Sequence, residues 1–230
     1  MKKILTICAV MILLTGCTKN YNSVTEYANA MAKVKDGKSY TIEMKLDVNN
    51  KISHVKSFVK NDKWACDLSN NNGNTYDNGL IKIDDDIIST DKTNKLAIKM
   101  FSTKKLGKVA DFVNPAYTLI NWDQNFQDEN KTVSGEFTNN KAKMNNFDCR
   151  MIKFDDGREA CISDKYGIAV YQRIDMPNPK TKQIEENTFN VISIDTTELP
   201  DSTFEIPSDY KLMSFETLLQ DLTKAFGKLK

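Results

Sequence analysis

The side chains able to do chemistry in this 230-residue sequence are few, and their spacing limits what that chemistry is. Cysteines stand at 8, 17, 66, 149 and 161, and His54 is the single histidine. A Ser-His-Asp triad, a Cys-His pair or a zinc site would all have to recruit that one imidazole. It lies between Ser53 and Val55 with no local motif, and reads as an ordinary surface or edge residue. Asp84-Asp85-Asp86 invites a calcium reading, but an EF-hand loop needs spaced ligands, a glycine and a distant glutamate. A solvated turn is preferred there. Carboxylates are plentiful, yet no spacing singles out a hydrolytic pair. There is no phosphate-binding glycine loop or nucleotide fingerprint. The expectation is a non-enzyme, with no catalytic residue, no metal site and no cofactor.

Chemistry at the Cys17 thiol is better marked. Lys2 and Lys3 precede an apolar run from Ile4 to Leu14, which ends in Thr15-Gly16-Cys17. A basic region, a short apolar region and small residues are the layout of a secretory signal. The run is about half of the ~20 residues needed to span a bilayer as a helix. At Leu14-Thr15-Gly16-Cys17 the sequence resembles bacterial lipoproteins, whose signals end in such a box. The resemblance implies cleavage before Cys17 and acylation of Cys17 on its thiol and its freed amine. Multiple acyl chains hold stably where one binds only marginally. In proteins with this box an aspartate after the cysteine favours the inner membrane. Thr18 here leans toward an outer membrane, facing the periplasm. An ordinary signal peptide with an incidental cysteine is the alternative. The expected organisation is a signal peptide over 1–16, a lipidated tether over 17–22 and one domain over 23–230.

Charge nearly cancels, with 32 Lys+Arg against 31 Asp+Glu, so no nucleic-acid partner is indicated. Three cysteines beyond the anchor are too few for a disulfide-built scaffold, and the core must supply most of the stability. With Asp155-Asp156-Gly157 as a hairpin loop, Phe154 faces Arg158 and Met151 faces Cys161. Cys149 and Cys161 then share a face diagonally, near the long end of disulfide reach. That pair is the preferred disulfide, leaving Cys66 as a buried thiol. Pairing of Cys66 with either of the others is the alternative.

The elements that must position these groups follow from hydrophobic period. Ser23 is a fit N-cap for a helix carrying Val24, Tyr27, Ala28, Met31 and Val34 on one face, closed by Asp36-Gly37. From Tyr40 the period drops to two. Strands are expected at Tyr40–Leu46, Lys51–Lys60, Lys63–Leu68, Tyr76–Ile83, Ile87–Thr90 and Leu96–Phe101. A short helix around Asn114-Pro115 interrupts the strands, with proline in its first turn. A second run follows at Lys131–Thr138, turned by Asn139-Asn140, then Phe147–Phe154, Glu159–Ser163, Ile168–Asp175 and Thr188–Leu199. The chain ends in a helix capped by Ser214, with Phe215, Leu218, Leu219, Leu222, Phe226 and Leu229 on one face. Burying those six side chains would contribute on the order of 10 kcal/mol, so this helix is expected to dock on apolar surface. Its lysines (Lys224, Lys228, Lys230) offer a membrane surface as the alternative.

Together these elements give an α+β chain: a long curved antiparallel sheet with an N-terminal helix, an internal short helix and a C-terminal amphipathic helix. The helix ahead of Tyr40-Thr41-Ile42-Glu43-Met44, the hairpin Ile87–Met100 and the ending Leu199-Pro200-Asp201-Ser202-Thr203-Phe204-Glu205-Ile206-Pro207 resemble the LolA/LolB-like superfamily of half-barrel lipoprotein carriers and acceptors. The resemblance implies a hydrophobic cavity between sheet and helices able to hold a lipid or the acyl chain of a lipoprotein. Unlike the soluble carriers, this chain has Cys17, and so looks more like an anchored acceptor. Trp64, Tyr76, Phe101 and Trp122 are the cavity candidates, with a filled core as the plainer reading of the same residues. The function expected is an envelope lipoprotein that binds an apolar ligand. The competing reading is a structural or protein-interaction lipoprotein with a filled interior.

Overall fold

The computed structural model describes residues 19–48, 51–69, 75–106, 113–123, 135–177 and 184–227. The signal segment and Cys17 lie outside these residues, as do the Asn49-Asn50 and 70–74 turns.

Twelve strands form one open sheet. Strands β1 (Ser39–Val48), β2 (Lys51–Lys60), β3 (Lys63–Leu68), β4 (Asn78–Ile83), β5 (Asp86–Asp91) and β6 (Leu96–Ser102) make one meander. Strands β7 (Gly135–Met144), β8 (Phe147–Phe154), β9 (Glu159–Ile162), β10 (Ala169–Pro177) and β11 (Ile184–Asp195) make another. The strand order is β12-β6-β5-β4-β3-β2-β1-β11-β10-β9-β8-β7, so the β1–β11 pair joins the two meanders. Strand β12 (Lys211–Ser214) runs parallel to β6, and every other pair is antiparallel. The sheet is therefore mixed at one edge, not wholly antiparallel. A four-residue edge strand after Pro207 carries too little alternation to be read from sequence.

Helix α1 (Val24–Lys35) begins as its sequence dictates. Ser23 Oγ accepts from Glu26 N at 3.1 Å, and the Glu26 carboxylate accepts from Asn22 N at 2.8 Å, a reciprocal cap. A single helical turn, α2, spans Thr103–Leu106. Helix α3 (Pro115–Ile120) is capped by Asn114, whose side chain accepts from Ala116 N at 3.0 Å, and Pro115 fills the first turn. It lies against β2 and β10. Helix α4 (Phe215–Gly227) starts at Ser214, whose Oγ accepts from Thr217 N at 3.1 Å.

The two faces of the sheet are covered differently. Residues opposite one another in the ladders share a face, so Tyr40, Val59 and Trp64 form one row. That row belongs to the main core, which takes in Val24, Tyr27, Ala28 and Met31 from α1 and Ala116 and Leu119 from α3. Phe58, Ala65, Ile81 and Ile88 form a row on the other face. There Phe204 and Leu199, from the segment between β11 and β12, pack on Ala65 and Ile81. The Lys60 ammonium fastens this strap, donating to the Leu199 carbonyl at 2.9 Å and pairing with Asp201 at 3.3 Å.

Two expectations are corrected. Asn139-Asn140 does not turn the chain. Strand β7 runs through it with a register shift between Phe137 and Lys141, and the turn comes at Asn145, in the left-handed region (φ 52°). A bulge and a turn draw on the same residue type, because asparagine tolerates both. Nor is the start of the α4 stripe buried: Phe215 is 38% exposed and Leu219 47%, with Leu218 half-buried, while the side chains of Leu222, Phe226 and Leu229 lie outside the described residues.

Candidate functional site

Of the four cavity candidates, three belong to the main core. Trp122 is fully buried, its ring 6.0 Å from Tyr27 and 6.5 Å from Phe154, and its Nε1 donates to the Gly167 carbonyl at 3.0 Å. Gly167 sits at φ +75°, and a Cβ there would stand 2.7 Å from the Met31 carbonyl oxygen, so only glycine lets this turn press onto α1. Trp64 is buried on β3, and its Nε1 has no partner among the described residues. Phe101 is partly buried against the same core. Tyr76 is half-buried ahead of β4, with its phenol pushed up chiefly by burial. No ring contact among the described residues joins the four.

Among the described residues, open space is seen on the other face. A groove of about 360 Å³ runs between β4–β5 and the start of the C-terminal segment, lined by Ile83, Ile88, Ile206, Leu212 and Met213, with Lys99 at its side. A smaller pocket of about 240 Å³ lies under the strap, against Phe58, Ala65 and Ile81. Beside the groove, Leu212 is 59% exposed, continuous in sequence with exposed Phe215 and Leu219. Asp84, Asp86 and Ser214 also line the groove, so its apolar floor, which removes methylene surface from water when filled, is flanked by a polar side able to hold a headgroup. That floor suits hydrocarbon better than a polar metabolite.

The most elaborate polar arrangement is one that no local sequence motif announces. Arg150, on β8, is 1% exposed. Its Nε donates to both Asp164 carboxylate oxygens at 3.0 Å, and its Nη1 to the Asn139 side chain at 3.0 Å and carbonyl at 3.2 Å. Its Nη2 donates to the Lys19 carbonyl at 2.9 Å. The guanidinium lies 5.3 Å from the Tyr21 ring and 5.7 Å from the Tyr27 ring, where cation–π attraction adds to the bonds. Tyr27 Oη donates to Asp164 at 2.7 Å; burial first and that bond second push its phenol well above the ordinary range. Asn139 completes the corner by exchanging two 2.9 Å bonds with the Tyr21 backbone. One signal could have found it: Arg150 alternates in phase with Ile152 and Phe154, which puts an arginine on an inward-facing row.

The cysteines follow the expected register. Met151 stands opposite Cys161, Gly157 takes the left-handed loop position (φ +87°), and Cys149 and Cys161 are bonded with Cα atoms 5.3 Å apart. Ladder pairing of β8 with β9 stops at Arg150, so the strand end bearing Cys149 is free to lean across the diagonal. Cys66 is a free, buried thiol, pushed up to about 12 chiefly by burial. His54 is half-exposed on β2, its backbone N–H donating to Ser69 Oγ at 3.0 Å. Asp85 pairs with Lys104 at 2.7 Å and Asp86 with Lys99, in a turn where Asp84 has φ 49°.

Among solved structures, the chain is similar to an uncharacterized conserved protein from Thermus thermophilus, at 6% identity and TM-score 0.50, over 82% of this chain and 97% of that one. It is also similar to MucB alone, at 12% identity and TM-score 0.48 over 80% of this chain, and to the MucA/MucB complex of Pseudomonas aeruginosa, at 10% and 0.46 over 82%. It spans 63% and 62% of the lengths of those two chains. No family model and no curated protein matches the sequence. At such identities the likeness to the Thermus protein is one of fold: an open, curved, strand-rich sheet with helices laid on it.

Proposed function

We propose that this protein is a non-enzymatic lipoprotein of the cell envelope, anchored through acylated Cys17, that binds an apolar ligand, a lipid or the acyl chain of another lipoprotein. The half-barrel resemblance suggests lipoprotein or lipid transport as the setting, and Thr18 favours the outer membrane facing the periplasm. The observation that carries the binding reading is the open groove of about 360 Å³ lined by Ile83, Ile88, Ile206, Leu212 and Met213. Transfer would run by differential burial, the hydrocarbon moving to whichever surface removes more of it from water. In this reading the strap-bearing face supplies the binding groove.

Native mass spectrometry of the mature protein tests both halves at once. The expected result is a mass increment at Cys17 and a non-covalent lipid that is lost in an Ile88→Asp, Leu212→Asp variant. Acylated protein carrying no lipid and failing to bind a fluorescent fatty acid overturns the ligand reading. A second reading, a protein-interaction lipoprotein, draws on the packing of the buried Trp122 ring beside Tyr27 and Phe154. It predicts that the same double variant loses a protein partner and no lipid.

A further inference from the structure

The corner around Arg150 fixes the chain close to the proposed anchor, and this has a consequence for how the molecule meets the bilayer. The Lys19 carbonyl is held by Arg150, the Tyr21 backbone by Asn139, the Asn22 N–H by Glu26, and Ser23 caps α1. The Tyr21 ring packs 4.9 Å from Tyr27 and 6.5 Å from Phe137. A fixed chain therefore begins two residues after Cys17. Two residues reach at most about 7 Å, whereas a domain of this length is roughly 40 Å across. On so short a leash the body cannot tumble freely, and the surface beside Lys19 must abut the headgroups. That surface is basic. Lys19, Lys141 and Lys165 are exposed around Asp164, whose carboxylate is engaged by Arg150.

Resting on the anchoring reading above, we propose that this corner is a membrane-docking surface: Arg150 and Asn139 lock the residues after Cys17, and Lys19, Lys141 and Lys165 face anionic phospholipid headgroups. The protein is thereby held in one orientation, with the β7 edge toward the bilayer. Arg150 acts here as a positioning residue, not as a lipid contact.

The test uses the lipidated protein in vesicles of phosphatidylcholine with or without phosphatidylglycerol. A fluorophore is placed at Asn140→Cys, in the corner, or at Thr93→Cys, in the β5–β6 turn; Cys66 is buried and does not compete for label. A headgroup-attached quencher is expected to quench the label at 140 several-fold more than the label at 93. A flexible insert of about fifteen residues between Thr18 and Lys19 is expected to abolish that difference in neutral vesicles and to leave it in anionic ones. Reversing Lys19, Lys141 and Lys165 to Glu in the insert background should abolish it in both. Equal quenching of the two labels in the parent protein overturns the docking surface. Loss of the difference in anionic vesicles on insertion alone overturns the role of the lysines. Mass spectrometry of the same samples separates these outcomes from a failure of the anchor, which would show as an unmodified Cys17.

Discussion

Helices α1 and α4 are both amphipathic, and the structure uses them in opposite ways. The stripe of α1 is buried, with Val24, Tyr27 and Met31 each under 5% exposed, while α4 leaves Phe215 and Leu219 open. Helix α1 is held by polar bonds as well as by packing. Tyr27 Oη reaches the Ile162 carbonyl at 3.0 Å, and Lys35 reaches Asp123 and the Ile120 carbonyl, both at 2.8 Å. Helix α4 has as its described neighbours the edge strand β12 and the next strand, β6. An apolar stripe states that a helix needs a partner and leaves open where that partner is. For α1 it is the sheet. For α4 the described contacts are with β12 and β6, and Phe215 and Leu219 at its start stay exposed.

The contrast can be broken most readily at Tyr27. Tyr27→Ala removes a fully buried ring and the hydroxyl that donates between Asp164 and the Ile162 carbonyl, and urea unfolding should show a loss of about 4 kcal/mol. Comparable stability in this variant would mean that α1 is as dispensable as α4. Arg150→Ala takes the guanidinium from Asp164, Asn139 and the Lys19 carbonyl and leaves a cavity, with an expected loss of about 3 kcal/mol; Arg150→Lys should recover little, since an ammonium cannot serve three partners in a fork. Replacing Cys149 and Cys161 together by alanine, in the same clamped region, should cost about 3 kcal/mol in the chain-entropy model.

A pH titration adds a smaller effect. The Cys66 thiol is pushed up to about 12 in the folded chain, against about 8.5 when unfolded. Below the unfolded value both states are protonated and stability is independent of this group. Above it the unfolded chain releases a proton that the folded chain retains, so stability falls by about 1.4 kcal/mol per pH unit. That slope, read between pH 9 and 10, should vanish in Cys66→Ala. Smallest of all, Leu219→Ser should shift stability by less than about 0.5 kcal/mol. A larger loss would show that α4 is structural after all.

How much of this was legible beforehand differs by element. The α1 cap at Ser23, the α3 start at Asn114-Pro115 and the Asp155-Asp156-Gly157 loop rest on interactions within a few residues, and their residue types announce them. The Cys149–Cys161 bond was readable because a three-residue loop sets the register on both sides. The Arg150 corner was not, since it gathers residues 19, 21, 27, 139, 150 and 164, and no local period links them. Of the groove, the sequence offered the isoleucines and Leu212 but not their meeting. They come together because the strap crosses the sheet and lets β12 pair with β6.

By itself, then, the sequence determined most of the strands, the caps of α1, α3 and α4 and the register of the β8–β9 hairpin. Backbone propensity, capping and side-chain period act over short separations, so they survive reading one residue at a time. Tertiary structure alone decided that β1 pairs with β11, that the strap packs on Ala65 and Ile81, and that Phe215 and Leu219 at the start of α4 stay exposed. Those outcomes depend on which distant surfaces win a competition for burial, and that competition is settled only when the whole chain is packed.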